Sequence, residues 1–142
     1  MLELSNQTAI TSEKIIQKID AYLSSFEKSS ILSFSNTDFT DREEKHMLFL
    51  SKISNDFFEL ASLNAALASL IIKADKAADI ESTLLMQKRF DIFCLFESAL
   101  YNYTSSVEEA FANKQATASL IILSTQKLKL AAENVLKENS QI

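Results

Sequence analysis

Residues 50–74 read LSKISNDFFELASLNAALASLIIKA, and the spacing of their apolar side chains decides the fold class. The positions that share one helical face are Leu50, Ile53, Phe57, Leu60, Asn64, Leu67, Ile71 and Ala74. They alternate three and four residues apart, which is the spacing at which side chains of one helix pack between those of a neighbour. The stretch therefore predicts a long helix that packs against at least one other helix.

Asn64 is the one polar residue in this series. If its amide is buried, it fixes the helix register, because the amide finds a hydrogen-bond partner in only one alignment. If Asn64 lies at the edge of the series, water satisfies it, and the sequence leaves both possibilities open. Three small residues beside it, Ala61, Ala65 and Ala68, would allow another helix to approach closely.

The whole chain contains no glycine and no proline. Left-handed turns normally use Gly, and Pro commonly follows a sharp helix stop, so their absence favours long helices joined by polar residues. Helical periodicity also occurs in nearly every segment. We predict a single all-α domain over residues 1–142, an antiparallel bundle of about four long helices that associates with itself. The predicted helices are 8–33, 40–75, 79–112 and 116–138, with the first few residues and 139–142 frayed.

Polar clusters mark the expected helix ends. Residues 33–38 form the most loop-like window, and Thr40 with Glu43 matches a capping box at the start of the second helix. Residues 73–79 are the weakest stretch between the second and third helices, and Asp75 or Asp79 could cap the third. A break at 113–115 would separate the last two helices, whereas residues 105–108 suggest an alternative break near 102–104. The pattern also allows one very long helix over 79–138.

The net charge of −5 disfavours nucleic acid or anionic lipid as the main partner, because both require clustered Lys and Arg. No segment reaches the about 20 apolar residues of a membrane span. The N-terminus shows no basic region followed by an apolar segment, as a secretory signal would. We therefore expect a cytoplasmic protein, although export without a cleaved signal remains open.

The residues that usually carry catalysis are scarce. Without glycine there are no phosphate-binding loops and no nucleophile elbow. Glu43 and His46 form one carboxylate–histidine pair, but a di-iron bundle needs two such pairs, and His46 is the only histidine. Cys94, the only cysteine, lies in the apolar run 92–96 and is expected to be a buried, unreactive thiol. We predict no enzyme activity, no catalytic residue, no cofactor and no metal.

Several helical turns are apolar on nearly every side, namely 47–50, 70–72, 92–96 and 120–123. A bundle helix needs only one apolar stripe, so this surplus suggests a second packed layer supplied by another chain. Glu97 interrupts an apolar segment and is expected either at its edge or as a buried polar residue that fixes register. The residues expected to contact a partner are Phe57, Leu67, Ile71, Phe93, Phe96 and Ile121.

Residues 13–60 place Glu44 and Lys45 before Leu48, Leu50 and Ile53, on a long helix that follows a shorter one. In this arrangement they resemble flagellar and type III export chaperones, which are small acidic helical bacterial proteins. The resemblance implies capture of an amphipathic segment of an export substrate on an exposed apolar face.

The leading hypothesis is therefore a non-enzymatic module that binds a partner helix or a second copy of itself. A carrier of small molecules or lipids with an apolar cavity between helices is one alternative. The other alternative is an acidic inhibitor or immunity protein that neutralises a basic partner.

Overall fold

Four α-helices form the computed structural model, which describes residues 2–29, 36–74 and 80–140. The helices are α1 (Leu2–Ser29), α2 (Asn36–Ala74), α3 (Ile80–Ala112) and α4 (Ala118–Ser140). The predicted all-α bundle is therefore confirmed. No helix of the described ranges is long and apolar enough to cross a membrane.

The helices form a ring in which each packs against two others. α1 and α3 both contact α2 and α4, and the α2–α3 side is the most sparsely packed of the four. Neighbouring helices run in opposite directions. As the residue number of a contact rises in one helix, the number of its partner falls in the next. The pairs that show this are Lys18–Asp56 and Tyr22–Phe49 between α1 and α2, and Lys88–Glu138 and Tyr103–Thr125 between α3 and α4.

One apolar core runs through the bundle, and all four helices contribute to it. It forms because the inward face of each helix repeats an apolar residue every three or four positions. Burying side chains of this size from water is the main stabilising contribution to such a bundle. Large side chains that are almost completely buried include Ile15, Ile19, Leu60, Phe96, Ile121 and Leu128.

The second helix begins earlier than the capping box at Thr40 predicted. α2 starts at Asn36, so Thr40 lies within its second turn. The reason is Phe39, whose ring lies 5.5 Å from Phe111 and packs against the core. Burying this ring favours a helix that extends beyond the predicted cap. Residues 30–35 and 75–79, which include parts of the first two predicted connections, lie outside the described residues, whereas residues 36–38 of the predicted loop are helical.

The predicted break near 113–115 is confirmed, and α3 continues through 102–104 without interruption. Lys114 ends α3 in the left-handed conformation, with φ 56°. The Gln115 amide donates to the Ala110 carbonyl at 2.8 Å and the Lys114 amide to Phe111 at 3.1 Å. This is the hydrogen-bond pattern of a Schellman motif, which usually carries glycine where this chain has Lys114.

Both ends of the described chain are helical and contribute buried side chains. α1 begins at Leu2 and already buries Ser5, and α4 extends to Ser140 and buries Asn139. The N-terminus of α4 is capped by Thr117, whose hydroxyl accepts a hydrogen bond from the Leu120 amide at 3.2 Å. The Arg42 guanidinium donates to the Ala116 carbonyl at 3.1 Å and so ties α2 to the α3–α4 turn.

Candidate functional site

Most residues predicted to contact a partner lie inside the bundle. Leu67, Phe93, Phe96 and Ile121 are buried, and Phe57 and Ile71 are half-buried. The ring of Phe57 stacks on Phe93 at 6.4 Å. The four buried side chains therefore hold the helices together, and they cannot meet a partner unless the bundle opens.

The two predicted polar residues have different positions. Asn64 is half-buried and borders a cavity of about 10 Å³ near Ser5, Arg89 and Asn139. A volume of this size is enough for about one water molecule. Glu97 is exposed, which corresponds to the edge position and excludes a role in the polar core.

A polar layer that the sequence reasoning did not predict crosses the centre of the core. His46 is 1% exposed, and its Nδ1 lies 3.5 Å from the Tyr103 hydroxyl. That hydroxyl also lies 3.1 Å from the Thr125 hydroxyl, which donates to the Ile121 carbonyl. The His46 Nε2 has no hydrogen-bond partner among the described residues.

Burial controls the protonation of this layer. It lowers the pKa of His46 to about 4, because the charged imidazolium would lose its hydrating water in the core. Burial raises the pKa of Tyr103 to about 12. The layer is therefore neutral at physiological pH, and its groups are suited to packing rather than to proton transfer.

The surplus apolar surface predicted from the sequence is present, but other residues form it. Each of the four turns that are apolar on nearly every side leaves a large side chain exposed. These side chains include Met47, Leu48, Ile72, Leu95 and Leu123. Exposed apolar side chains of this size indicate an interaction site where several of them lie on one face.

One such face lies on α2. It is formed by residues spaced three, four or seven positions apart along the helix, and residues with these spacings lie on one side of it. Phe58 is 68% exposed and Ile72 is 72% exposed. Phe57, next to Phe58, contacts Phe93 of α3, whereas Asp56 pairs with Lys18 of α1, so this side of α2 borders α3. The residues of this α2 stripe are Met47, Ser51, Ser54, Phe58, Ala65 and Ile72.

The adjoining side of α3 completes the surface. Its half-buried Phe90 and exposed Cys94 and Tyr101 share one helical side, and Tyr101 is 73% exposed. The opposite side of α3, which includes Ile92 and Leu95, borders a groove next to α4. We name the α2 stripe together with Phe90, Cys94, Glu97, Tyr101 and Glu108 the α2–α3 face.

The α2–α3 face is acidic at its rim. Glu97 and Glu108 are exposed on α3, and Glu43 lies one turn before the α2 stripe. None of the positions that define the face is Lys or Arg. The face therefore combines apolar side chains with a negative potential.

Cys94 lies exposed on this face, so the prediction of a buried thiol is wrong. Partial desolvation raises the pKa of the thiol, and the carboxylates of Glu97 and Asp91 raise it further. A raised pKa reduces the thiolate fraction, so Cys94 is accessible but not activated as a nucleophile.

A second exposed stripe lies on α4. Leu123 and Leu130 are 56% and 63% exposed, and the exposed Lys127 lies between them. Nearby, Lys137 borders an open groove of about 290 Å³ between α3 and α4, which Ile92 and Leu95 also line. We name the residues of this side the α4 stripe, which consists of Leu120, Leu123, Lys127, Leu130, Asn134 and Lys137.

Metal-binding side chains are not clustered in the described ranges: no three His, Cys, Asp or Glu residues lie together as candidate ligands. His46 is buried while Glu43 is exposed, so this pair does not converge on one point. Comparisons with known protein families, with curated proteins and with solved structures find no match to this chain.

Proposed function

We propose that this protein is a non-enzymatic helical module that binds an amphipathic helix along its α2–α3 face. The observation that carries the proposal is the exposure of Phe58, Ile72 and Tyr101 on two neighbouring helices. An amphipathic helix can bury its apolar side against such a surface through residues spaced three and four apart.

The packing of the face favours a helix as the ligand. Ser51 and Ser54 are small and lie between the larger Met47 and Phe58, and the small Ala65 lies between Phe58 and Ile72 along α2. Small residues allow a helix backbone to approach closely, and the larger side chains then flank it.

The carboxylates at the rim favour a helix with basic residues beside its apolar side. Glu43, Glu97 and Glu108 would attract Lys or Arg and would disfavour an acidic helix. An export chaperone is one type of protein that binds an amphipathic segment, and this role is one form that the proposed function can take.

Cys94 provides a probe for the proposed binding, because it is the only cysteine and lies on the face. The ligand is a synthetic Leu/Lys peptide of about 18 residues, about five helical turns, with leucines three and four apart. Its matched control is a Leu/Glu peptide of the same length and spacing. Binding is measured by fluorescence anisotropy and by the rate at which a disulfide reagent modifies Cys94.

The Leu/Lys peptide should bind and slow the modification of Cys94 several-fold, whereas the Leu/Glu peptide should not. Phe58→Glu should weaken binding by about tenfold or more, the loss of a well-buried apolar contact. Ile10→Glu is the matched control, because Ile10 is also exposed but lies on α1. Equal rates of Cys94 modification with and without peptide would refute the proposal.

The two alternatives predict other outcomes of the same titration. An acidic inhibitor would bind the basic peptide with strong salt dependence, and Phe58→Glu would not weaken binding. A lipid carrier would need an enclosed apolar cavity, whereas the cavity beside Asn64 is about 10 Å³ and the groove of about 290 Å³ between α3 and α4 is open and lined in part by charged residues. The proposed module therefore differs from both in its dependence on Phe58.

A further inference from the structure

The α4 stripe matches the α2–α3 face in chemistry. It alternates leucines with Lys127 and Lys137 at intervals of three and four residues, all exposed on one side of α4. The stripe is thus an apolar helical side with basic residues, on the same chain that carries an apolar face with an acidic rim. Resting on the proposed function, we infer that the ligand of the α2–α3 face is the α4 stripe of a second copy of this chain.

The two surfaces also match in length. From Leu120 to Lys137 the α4 stripe extends over 17 residues, which is about 26 Å at 1.5 Å per residue. The α2 stripe extends from Met47 to Ile72, over 25 residues, or about 38 Å. The α2–α3 face can therefore accommodate the whole stripe.

The charges define a register. Lys127 and Lys137 are ten residues apart, or about 15 Å along the axis. Glu97 and Glu108 are eleven residues apart, or about 17 Å. If α4 of the second copy runs parallel to α3, Lys127 lies beside Glu97 and Lys137 beside Glu108.

The same register brings apolar residues together. Leu123 is four residues before Lys127, and Cys94 is three before Glu97, so these two side chains lie at about the same level. Leu130 similarly lies at the level of Tyr101. Charged and apolar positions are thus matched by one alignment of the two helices.

This arrangement joins two different surfaces. A symmetric dimer through two α2–α3 faces would bring the carboxylates of Glu97 and Glu108 from both copies together. A dimer through two α4 stripes would do the same for Lys127 and Lys137. Both are disfavoured by like-charge repulsion, so the copies associate head to tail, and each added copy presents a further free face.

Sedimentation velocity of the full chain tests the inference at about 1 to 500 µM, because head-to-tail association increases with concentration. In the stripe variant, Lys127→Glu is combined with Lys137→Glu. In the face variant, Glu97→Lys is combined with Glu108→Lys. A control variant reverses the exposed Lys14 and Lys52, which lie on neither surface.

The wild type and the control variant should associate, and each of the other variants alone should associate about tenfold or more weakly. A mixture of the stripe and face variants should associate again, because an acidic stripe then meets a basic face. Circular dichroism establishes that each variant folds. Independently of any variant, wild-type Cys94 should react several-fold more slowly at concentrations at which the chain associates.

A wild type that stays monomeric throughout this range would overturn the inference. If the Leu/Lys peptide still protects Cys94 of that monomer, the proposed function stands and only the self-docking is wrong. If only one of the two variants loses association and mixing does not restore it, the chain forms a symmetric dimer. If both variants still associate, other surfaces are used. Either result overturns head-to-tail docking.

Discussion

Protonation of His46 should destabilise the folded protein at a pH where most surface groups have not changed. Its ring is buried between Tyr103 and Phe111, with ring centroids 5.7 and 5.5 Å away. Burial lowers the pKa of His46 to about 4 in the folded state, whereas an unfolded histidine titrates near about 6.5. Because the folded pKa is the lower one, the neutral ring stabilises the fold above about pH 6.5, and this contribution is lost as the pH falls towards 4.

The size of the effect follows from the two pKa values. Between about pH 7.5 and pH 5 the unfolded chain takes up a proton that the folded chain largely excludes. This difference lowers the free energy of unfolding by about 2 kcal/mol at pH 5. It would reach about 3 kcal/mol at still lower pH, where carboxylates begin to titrate as well.

Urea unfolding followed by circular dichroism measures this loss at both pH values. His46→Phe retains an aromatic ring and removes the titration. Between about pH 7.5 and pH 5, the free energy of unfolding of this variant should therefore fall by about 2 kcal/mol less than that of the wild type. The carboxylates are the same in both proteins, and their contribution cancels in the comparison. The variant therefore isolates the histidine.

Nuclear magnetic resonance provides a direct reading, because the chain has a single histidine. Its ring proton should keep the chemical shift of a neutral imidazole down to about pH 5. A folded-state titration near pH 6.5, together with equal pH dependence in His46→Phe, would refute the assignment of His46 to a dry core.

Two further substitutions test the turn and the interhelical ion pair. Lys114→Gly should raise the free energy of unfolding by about 0.5–1 kcal/mol, because glycine removes the cost of the left-handed conformation. Lys127→Gly, within a helix, should lower it by about 1 kcal/mol, and thermal denaturation at low protein concentration compares the two; no gain in Lys114→Gly would contradict the account of the turn. Lys18→Met should cost about 1–2 kcal/mol by urea unfolding, because it leaves the Asp56 carboxylate buried without its 2.5 Å partner. Lys45→Met should cost less than about 0.5 kcal/mol, because its partner Asp41 is 56% exposed, and equal losses would mean that burial of Asp56 adds nothing.

The sequence predicted the helices better than it predicted the site, for a physical reason. Apolar periodicity reports that a helix has a buried side, and the positions richest in large apolar residues are the ones buried within the chain. That criterion predicts Phe93, Phe96 and Ile121 as partner residues, whereas they belong to the core. The exposed residues that matter are their neighbours, such as Phe58 beside Phe57.

The exposure of Cys94 could have been predicted in part from the length of the apolar run that contains it. The run from 92 to 96 covers five residues, and a helical turn has about 3.6, so at least one of its side chains must face away from the core. His46 is a second case, because it lies seven residues before Ile53 and therefore on the predicted buried series. The contact of His46 with Tyr103 was not predictable, because it depends on how two helices align.

The sequence indicates only part of the charge distribution: the residues from Lys114 onward are slightly basic and those before them are acidic. A net charge of −5 suggests one acidic surface, whereas the fold places Glu97 and Glu108 on the α2–α3 face and Lys127 and Lys137 on the α4 stripe. Four helices that share one core can each bury only one apolar side. The remaining apolar residues on α2, α3 and α4 stay exposed in the single chain, and the proposed docking of an oppositely charged stripe from a second copy would remove those on the α2–α3 face and the α4 stripe from water.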